Sequence, residues 1–409
     1  MPIRAAILAL LASATAVTAQ PVSKEARAIH ESVVVLDTHF DTPALFGRPG
    51  WNIMEKHDVL IDGSQLDYPR MVEGGVDGGF FAIYTPQGQR GPDGDLKARD
   101  DALIRGVEIH EMVAANPKQF EIALTADQAY DIAKRGKRFV VISMENGNPF
   151  GRDLSLMKTF YKMGVRVMGP VHFQNNELGD SATDPRGTEW GGLSPLGKQF
   201  VENANRMGIL LDASHSGDGV VDDMLKLSRA PIILSHSGSR AVFNHPRNID
   251  DARMKAIADK GGVIQINAYS AYMIPPVHNA ERDKAMGELQ AKMFSPGKRT
   301  EAETTALIAA RKEIDKKWPV PRATFDDFMK HMLHAIQVAG VDHVGMSGDF
   351  DGGGGLEGLD QVSDYPKITA ALLKAGYTKD DVANIWGGNA LRVLKQAQML
   401  ADPEYRPAP

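Results

Sequence analysis

Cysteine is absent from all 409 residues. Disulfides, thiolate metal ligands and a cysteine-linked lipid are therefore excluded, and any metal site must be built from histidine and carboxylate. No apolar run reaches the length of a membrane-spanning helix. A strong charge of either sign is also missing. The formal net charge is -6, which argues against a nucleic-acid partner. No glycine-rich linker divides the chain, and no short internal repeat is evident. What remains is an ordinary globular composition, 43% hydrophobic and 24% charged.

The N-terminus begins M-P-I-R, continues through the apolar run Ala5–Leu11 and ends in small residues at Ala19. This pattern predicts a secretory signal peptide over residues 1–19. Export without a lipidation site predicts a soluble periplasmic or secreted protein with no membrane anchor. Residues 20–409 are expected to form a single domain.

The stretch Ser32–Asp41, S-V-V-V-L-D-T-H-F-D, reads as a buried strand ending in an imidazole and a carboxylate. Side chains alternate along a strand, so His39 and Asp41 share a face. Alone, the H-x-D pair fits a surface turn as well as half of a metal site. The same pattern then recurs. Apolar runs are expected as strands at Gly78–Pro86, Arg138–Asn146, Val165–Phe173, Ile209–Ser216, Pro231–Gly238, Gly262–Ser270 and His343–Asp351, mostly separated by helix-periodic segments. Eight short, continuously apolar runs of this kind predict an α/β fold, a (β/α)8 TIM barrel.

In such a barrel, functional residues gather where the strands end. His39, Asp41, Glu145, His172, His215, His236 and Asp349 all fall at those ends. Each singly would pass for a hydrogen-bonded core residue. Together they would place many ionisable groups at one buried locus, where divalent cations offset the cost. A donor set of nitrogen and oxygen only suits zinc, and also manganese or cobalt. It exceeds what one tetrahedral ion needs, and a carboxylate such as Glu145 could bridge two ions, a common hydrolase arrangement.

These residues also carry a resemblance. H-F-D, S-M-E-N-G, V-H-F-Q-N-N, D-A-S-H-S, I-L-S-H-S-G, H-P-R-N-I-D-D and G-D-F-D-G, with the later E-G-L-D-Q-V-S-D-Y-P, resemble in order the motifs of the membrane (renal) dipeptidase family, M19, of the amidohydrolase superfamily. The likeness spans roughly Ser32 to Gln396. It implies a zinc-dependent dipeptidase with two Zn2+ ions and a hydroxide between them, acting on L-Xaa-L-Xaa and L-Xaa-D-Xaa dipeptides. By position it implies His39, Asp41 and Glu145 on one ion and Glu145, His215 and His236 on the other. His172 would stabilise the tetrahedral intermediate, Arg247 would bind the substrate carboxylate, and Asp349 would carry the proton. Family members are often dimeric, so the resemblance admits a homodimer.

Relative to animal members, the sequence lacks disulfide cysteines and a hydrophobic C-terminal tail. The residues alone lead to a metal-dependent hydrolase, and only the resemblance supplies the dipeptide. The alternative is an amidohydrolase acting on another carboxylate-bearing amide, an N-acyl amino acid or a β-lactam. A charged, helix-prone insertion at residues 275–322 is expected either as a solvated helical hairpin or as a lid or subunit contact. Asp37 and Asp212 are expected behind the ligands, and Asp351 could exchange roles with Asp349. His331 and His334 are expected on the barrel exterior.

Overall fold

A computed structural model describes residues 22–293 and 300–407; the segment assigned to a signal peptide lies outside the described residues. Eight parallel strands build the centre: β1 (Leu36–Phe40), β2 (Gly78–Tyr84), β3 (Arg138–Glu145), β4 (Val165–Met168), β5 (Leu210–Leu211), β6 (Ile233–Ser239), β7 (Val263–Asn267) and β8 (Val344–Ser347). The ladder runs β1-β2-β3-β4-β5, and a second runs β8-β7-β6. Single parallel bridges, Asp212 to Ile233 and Phe40 to Phe350, join the two arcs. The result is the expected (β/α)8 barrel. Among the described residues, no helix is long and apolar enough to cross a membrane.

Register levels the strand ends. Tyr84 at the end of β2 lies opposite Glu145 at the end of β3, and Asn267 of β7 lies opposite Ser347 of β8. Polar residues placed at separate strand ends in the sequence therefore arrive at one rim. Below them, past a layer that holds Ser143 and Gln265, the barrel is apolar. Val141 shares a face of β3 with Glu145 by alternation, and it packs with Phe80, Val167, Ile233 and Val263. The helix Asn389–Met399 closes this floor with Ala390, Leu391, Leu394 and Ala397.

Several boundaries differ from the sequence expectation. Val33–Val35 precede β1 rather than belong to it, and short extra strands appear at Phe120–Ile122 and Asn248–Ile249. β5 is only two residues long, because the chain leaves the ladder at Asp212 to present His215. The helical stretch from Lys379 to Met399 is interrupted by a π-turn at Asn384–Gly388. There Gly387 lies so close to the backbone oxygen of Val34 that a Cβ would sit 2.7 Å from it, and Asn389 binds the carbonyls of Val341 and Val344 at 2.8 and 2.9 Å.

The insertion forms two packed helices, Ala280–Met293 and Glu301–Lys317. Arg282 ties them through Asp315 at 2.6 Å, and Lys312 reaches the carbonyl of Ile61 on the loop after β1 at 3.0 Å. His334 is a surface group paired with Asp251. His331 departs from expectation: it is fully buried under β6, where its Nδ1 accepts the backbone N–H of Ser239. The three-residue spacing located a helix face, while packing decided which of the two histidines turned inward.

Candidate metal centre

Glu145, the last residue of β3, is the focus of the rim. Its Oε1 lies 3.0 Å from His215 Nε2, 3.3 Å from His236 Nε2 and 3.6 Å from His172 Nε2. Its other oxygen is 3.6 Å from His39 Nε2. Four imidazoles from β1, the β4 exit, the β5 exit and β6 thus converge on one carboxylate. Asp41 Oδ2 contacts His39 at 3.2 Å, and His215 and His236 approach Nε2 to Nε2 at 2.8 Å.

Three buried donor sets, each with its ligand atoms within 4.8 Å of one another, overlap here: His39, Glu145 and His236; Glu145, His172 and His215; His39, Asp41 and Asp349. All seven strand-end residues singled out in the sequence are in this cluster. The sets interleave instead of dividing into the two ligand groups that the resemblance implies, and Glu145 belongs to two of them. His172, assigned there to the intermediate, lies among the donors.

The residues fit divalent cations. Asp41 Oδ1, His172 Nδ1 and His215 Nδ1 are buried without a hydrogen-bond partner, and the donors are those that borderline and hard cations accept. Electrostatics agrees. Burial, reinforced by Asp41 and Asp349, pushes the Glu145 carboxyl up to about 8. Burial likewise raises Asp349 to about 6, against the opposing pull of His39. His172, His215 and His236 are driven well below the usual histidine range by burial and by Arg247. For His39, burial works in the same direction, but Glu145 and Asp41 overcome it and hold the ring well above that range. Neutral imidazoles beside crowded carboxylates are an arrangement that added positive charge relieves.

Backbone geometry marks the same place. Among the described residues, the only non-glycine residues with positive φ are Asn146, His215, Asp349 and Asp351, at 70°, 64°, 51° and 66°. Each sits just past a strand that feeds the rim, where strain is tolerated to aim a side chain. The loop after β8 approaches so closely that a Cβ on Gly352 would fall on Asp41 Oδ2.

Behind the donors lies a fixed frame. Asp37 accepts the N–H groups of His39 and Gly348 at 2.9 and 2.8 Å and the Tyr365 hydroxyl, tying β1 to the end of β8. Asp212 accepts the Ser235 hydroxyl at 2.5 Å, and the Ser235 oxygen faces His236 Nδ1 at 2.8 Å. Asp351 is turned away from the cluster toward Thr42 and the N–H of Gln65, at 2.6 and 2.7 Å, so its geometry gives no support to an exchange with Asp349.

Arg247 follows β6. Its Nη2 donates to the His236 carbonyl at 3.0 Å, its guanidinium lies 5.1 Å from the Tyr272 ring centroid, and its buried Nε has no partner. Asn267 and Ser235 were not singled out in the sequence. Asn267 donates to Asp349 Oδ2 at 2.9 Å. It is the polar end of the one late strand without a ligand, so the strand-end rule would have found it. Ser235 carried a weaker signal, a hydroxyl inside an otherwise apolar strand.

A family model described as membrane dipeptidase, peptidase family M19, matches residues 23–407. The chain is similar to dipeptidase tcpJ of Claviceps purpurea (strain 20.1), 28% identical over 347 residues, which are 82% of this chain and 70% of that protein. It is also similar to the crystal structure of the probable dipeptidase PvdM from Pseudomonas aeruginosa: 30% identity, TM-score 0.79, 92% of this chain and 98% of that one covered. A metallo peptidase from Rhodobacter sphaeroides, liganded with a phosphinate mimic of the dipeptide L-Ala-D-Ala, matches at 25% identity and TM-score 0.70, covering 89% of this chain and 99% of that one.

Proposed function

The chain belongs to the membrane dipeptidase family, peptidase family M19, and from that premise we propose that it is a zinc-dependent dipeptidase with a paired-metal centre, hydrolysing L-Xaa-L-Xaa and L-Xaa-D-Xaa dipeptides. The observation that carries this reading is the single buried carboxylate, Glu145, within 3.0 to 3.6 Å of four imidazole nitrogens. The phosphinate mimic of L-Ala-D-Ala on the Rhodobacter sphaeroides relative supports a D-residue at the C-terminal position.

His39, Asp41 and Glu145 would hold one ion, and Glu145, His215 and His236 the other. When bound, the cations supply an activated water and polarise the scissile carbonyl. Arg247 receives the substrate carboxylate: its guanidinium is pinned by the His236 carbonyl and the Tyr272 ring, and its Nε is left to donate. The neutral His172 ring donates one N–H to the developing oxyanion. Asp349 takes the proton of the attacking water at Oδ1, since Asn267 engages Oδ2, and passes it to the leaving amine. The free amine would distinguish a dipeptide from an N-acyl amino acid. A signal peptide, a periplasmic or secreted location and a homodimer belong to the same proposal, testable by fractionation and sedimentation.

The test is a panel of L,L and L,D dipeptides and their N-acetylated counterparts, presented to the zinc-loaded protein. Release of two free amino acids, lost on acetylation, is expected. Failure to cleave any dipeptide would sink the proposal, and equal cleavage of the acetylated series would move the protein to the broader amide-hydrolase class.

A further inference from the structure

Phe173 immediately follows His172 and is 44% exposed. Its ring centroid is 3.9 Å from that of His172 and 5.3 Å from that of His215. Tyr84 also meets His172, edge to face at 5.1 Å. Several large apolar side chains are exposed elsewhere; Phe173 is set apart from them by packing against the imidazoles of the metal centre, tilted by 52° to His172 and edge-on to His215.

Its exposure does not come from a loose loop. Three successive residues are held by side chains. The Ser181 hydroxyl donates to the His172 carbonyl, and Thr183 Oγ1 donates to the Phe173 carbonyl at 3.2 Å. The Gln87 amide takes both backbone groups of Gln174, accepting its N–H at 2.7 Å and donating to its carbonyl at 2.9 Å. The backbone that carries the ring is therefore fixed, and the ring packs against two imidazoles of the metal centre while much of it stays open to water. Covering the exposed part of the ring with an apolar group removes ring area from water, and the backbone beneath it is already ordered.

We propose that Phe173 is the specificity-determining wall for the side chain of the dipeptide's amino-terminal residue, selecting large apolar groups there; this rests on the dipeptidase reading. The end is chosen by geometry. Arg247, after β6, takes the carboxylate of the C-terminal residue. Phe173 lies after β4, with the β5 exit and His215 between. An extended peptide advances roughly 3.5 Å per residue, so the residue farther from the carboxylate is the one that reaches Phe173.

The experiment measures kcat/KM for Gly, Ala, Leu and Phe at the amino-terminal position with C-terminal Ala fixed, and for the converse series. It uses the zinc-loaded parent, Phe173→Ala and Phe173→Leu. The parent should prefer Leu over Ala at the amino-terminal position by about 10-fold or more. Phe173→Ala should bring that ratio near one, and Phe173→Leu should keep most of it. The ratio is internal to each variant, so differences in active fraction cancel. An unchanged ratio in Phe173→Ala, or a loss confined to the C-terminal series, would overturn the assignment. A parent that cleaves no dipeptide overturns the dipeptidase reading as well, whereas cleavage without any size preference overturns only the role of Phe173.

Discussion

Replacing Asp212 with asparagine should reverse the hydrogen-bond chain behind His236 while keeping the side chain's shape. In the parent, Asp212 Oδ1 accepts the backbone N–H groups of Ser214 and Ser235, both at 2.9 Å. Oδ2 accepts the Ser235 hydroxyl. With its proton so committed, the Ser235 oxygen accepts Nδ1–H of His236 at 2.8 Å. Nε2 is then unprotonated and turns its lone pair toward the donors around Glu145. In the variant, the two backbone donors hold the amide oxygen in the place of Oδ1, and the NH2 group points at Ser235. The hydroxyl proton turns to Nδ1, the nearer acceptor at 2.8 Å against 3.2 Å for Ser214 Oγ, which moves the imidazole proton onto Nε2, the atom needed by a cation. Recovering the binding tautomer sacrifices one buried hydrogen bond, about 1–3 kcal/mol. That corresponds to roughly 10–100-fold in affinity, the range expected for a group that orients a metal ligand. Zinc titration against a competing chelator reads the affinity, and nitrogen-15 NMR of the metal-free protein locates the proton on His236. Parent-like affinity at both sites, with Nδ1 still protonated in the variant, would refute the chain.

Two further substitutions probe the metal centre and the N-terminal helix. Gly352→Ala places a methyl group on Asp41 Oδ2 and 2.8 Å from Asp349 Oδ1; overpacking there should cost about 1–3 kcal/mol and weaken zinc on the His39–Asp41 side, read by metal counting at limiting zinc. His30 is buried between Thr369 and the Gly74 carbonyl, and burial lowers it from 6.5 to about 4. Since its folded pKa lies below the unfolded one, its contribution is full above about pH 6.5 and is lost as pH falls toward 4. Urea unfolding should therefore show the parent losing about 2 kcal/mol more than His30→Asn between pH 7 and pH 5, and parallel losses would contradict the assignment.

The barrel was legible because parallel strands buried on both faces are written as unbroken apolar runs, and because the polar residue ending each run lands on one rim. His39, Glu145, His215 and His236 needed no more than that rule. The rule does not say which donors pair, and the overlapping sets around Glu145 show why: strand order fixes the neighbours, while the distances depend on how each chain leaves its strand at a positive φ. His331 and the π-turn at Asn384–Gly388 were invisible for a related reason. Both answer to groups remote in sequence, Ser239 in one case and Val34 in the other. The Asp212–Ser235–His236 chain likewise links two strands, and only the pairing of β5 with β6 brings its members together.

The central claim is that Glu145 is shared between two cations at the strand ends. The direct measurement is anomalous diffraction at the zinc edge from crystals grown with zinc. Two peaks flanking the Glu145 carboxylate, about 3.5–4 Å apart, with His39 and Asp41 on one and His215 and His236 on the other, are predicted. A single peak, or two peaks of which one makes no contact with Glu145, would contradict it.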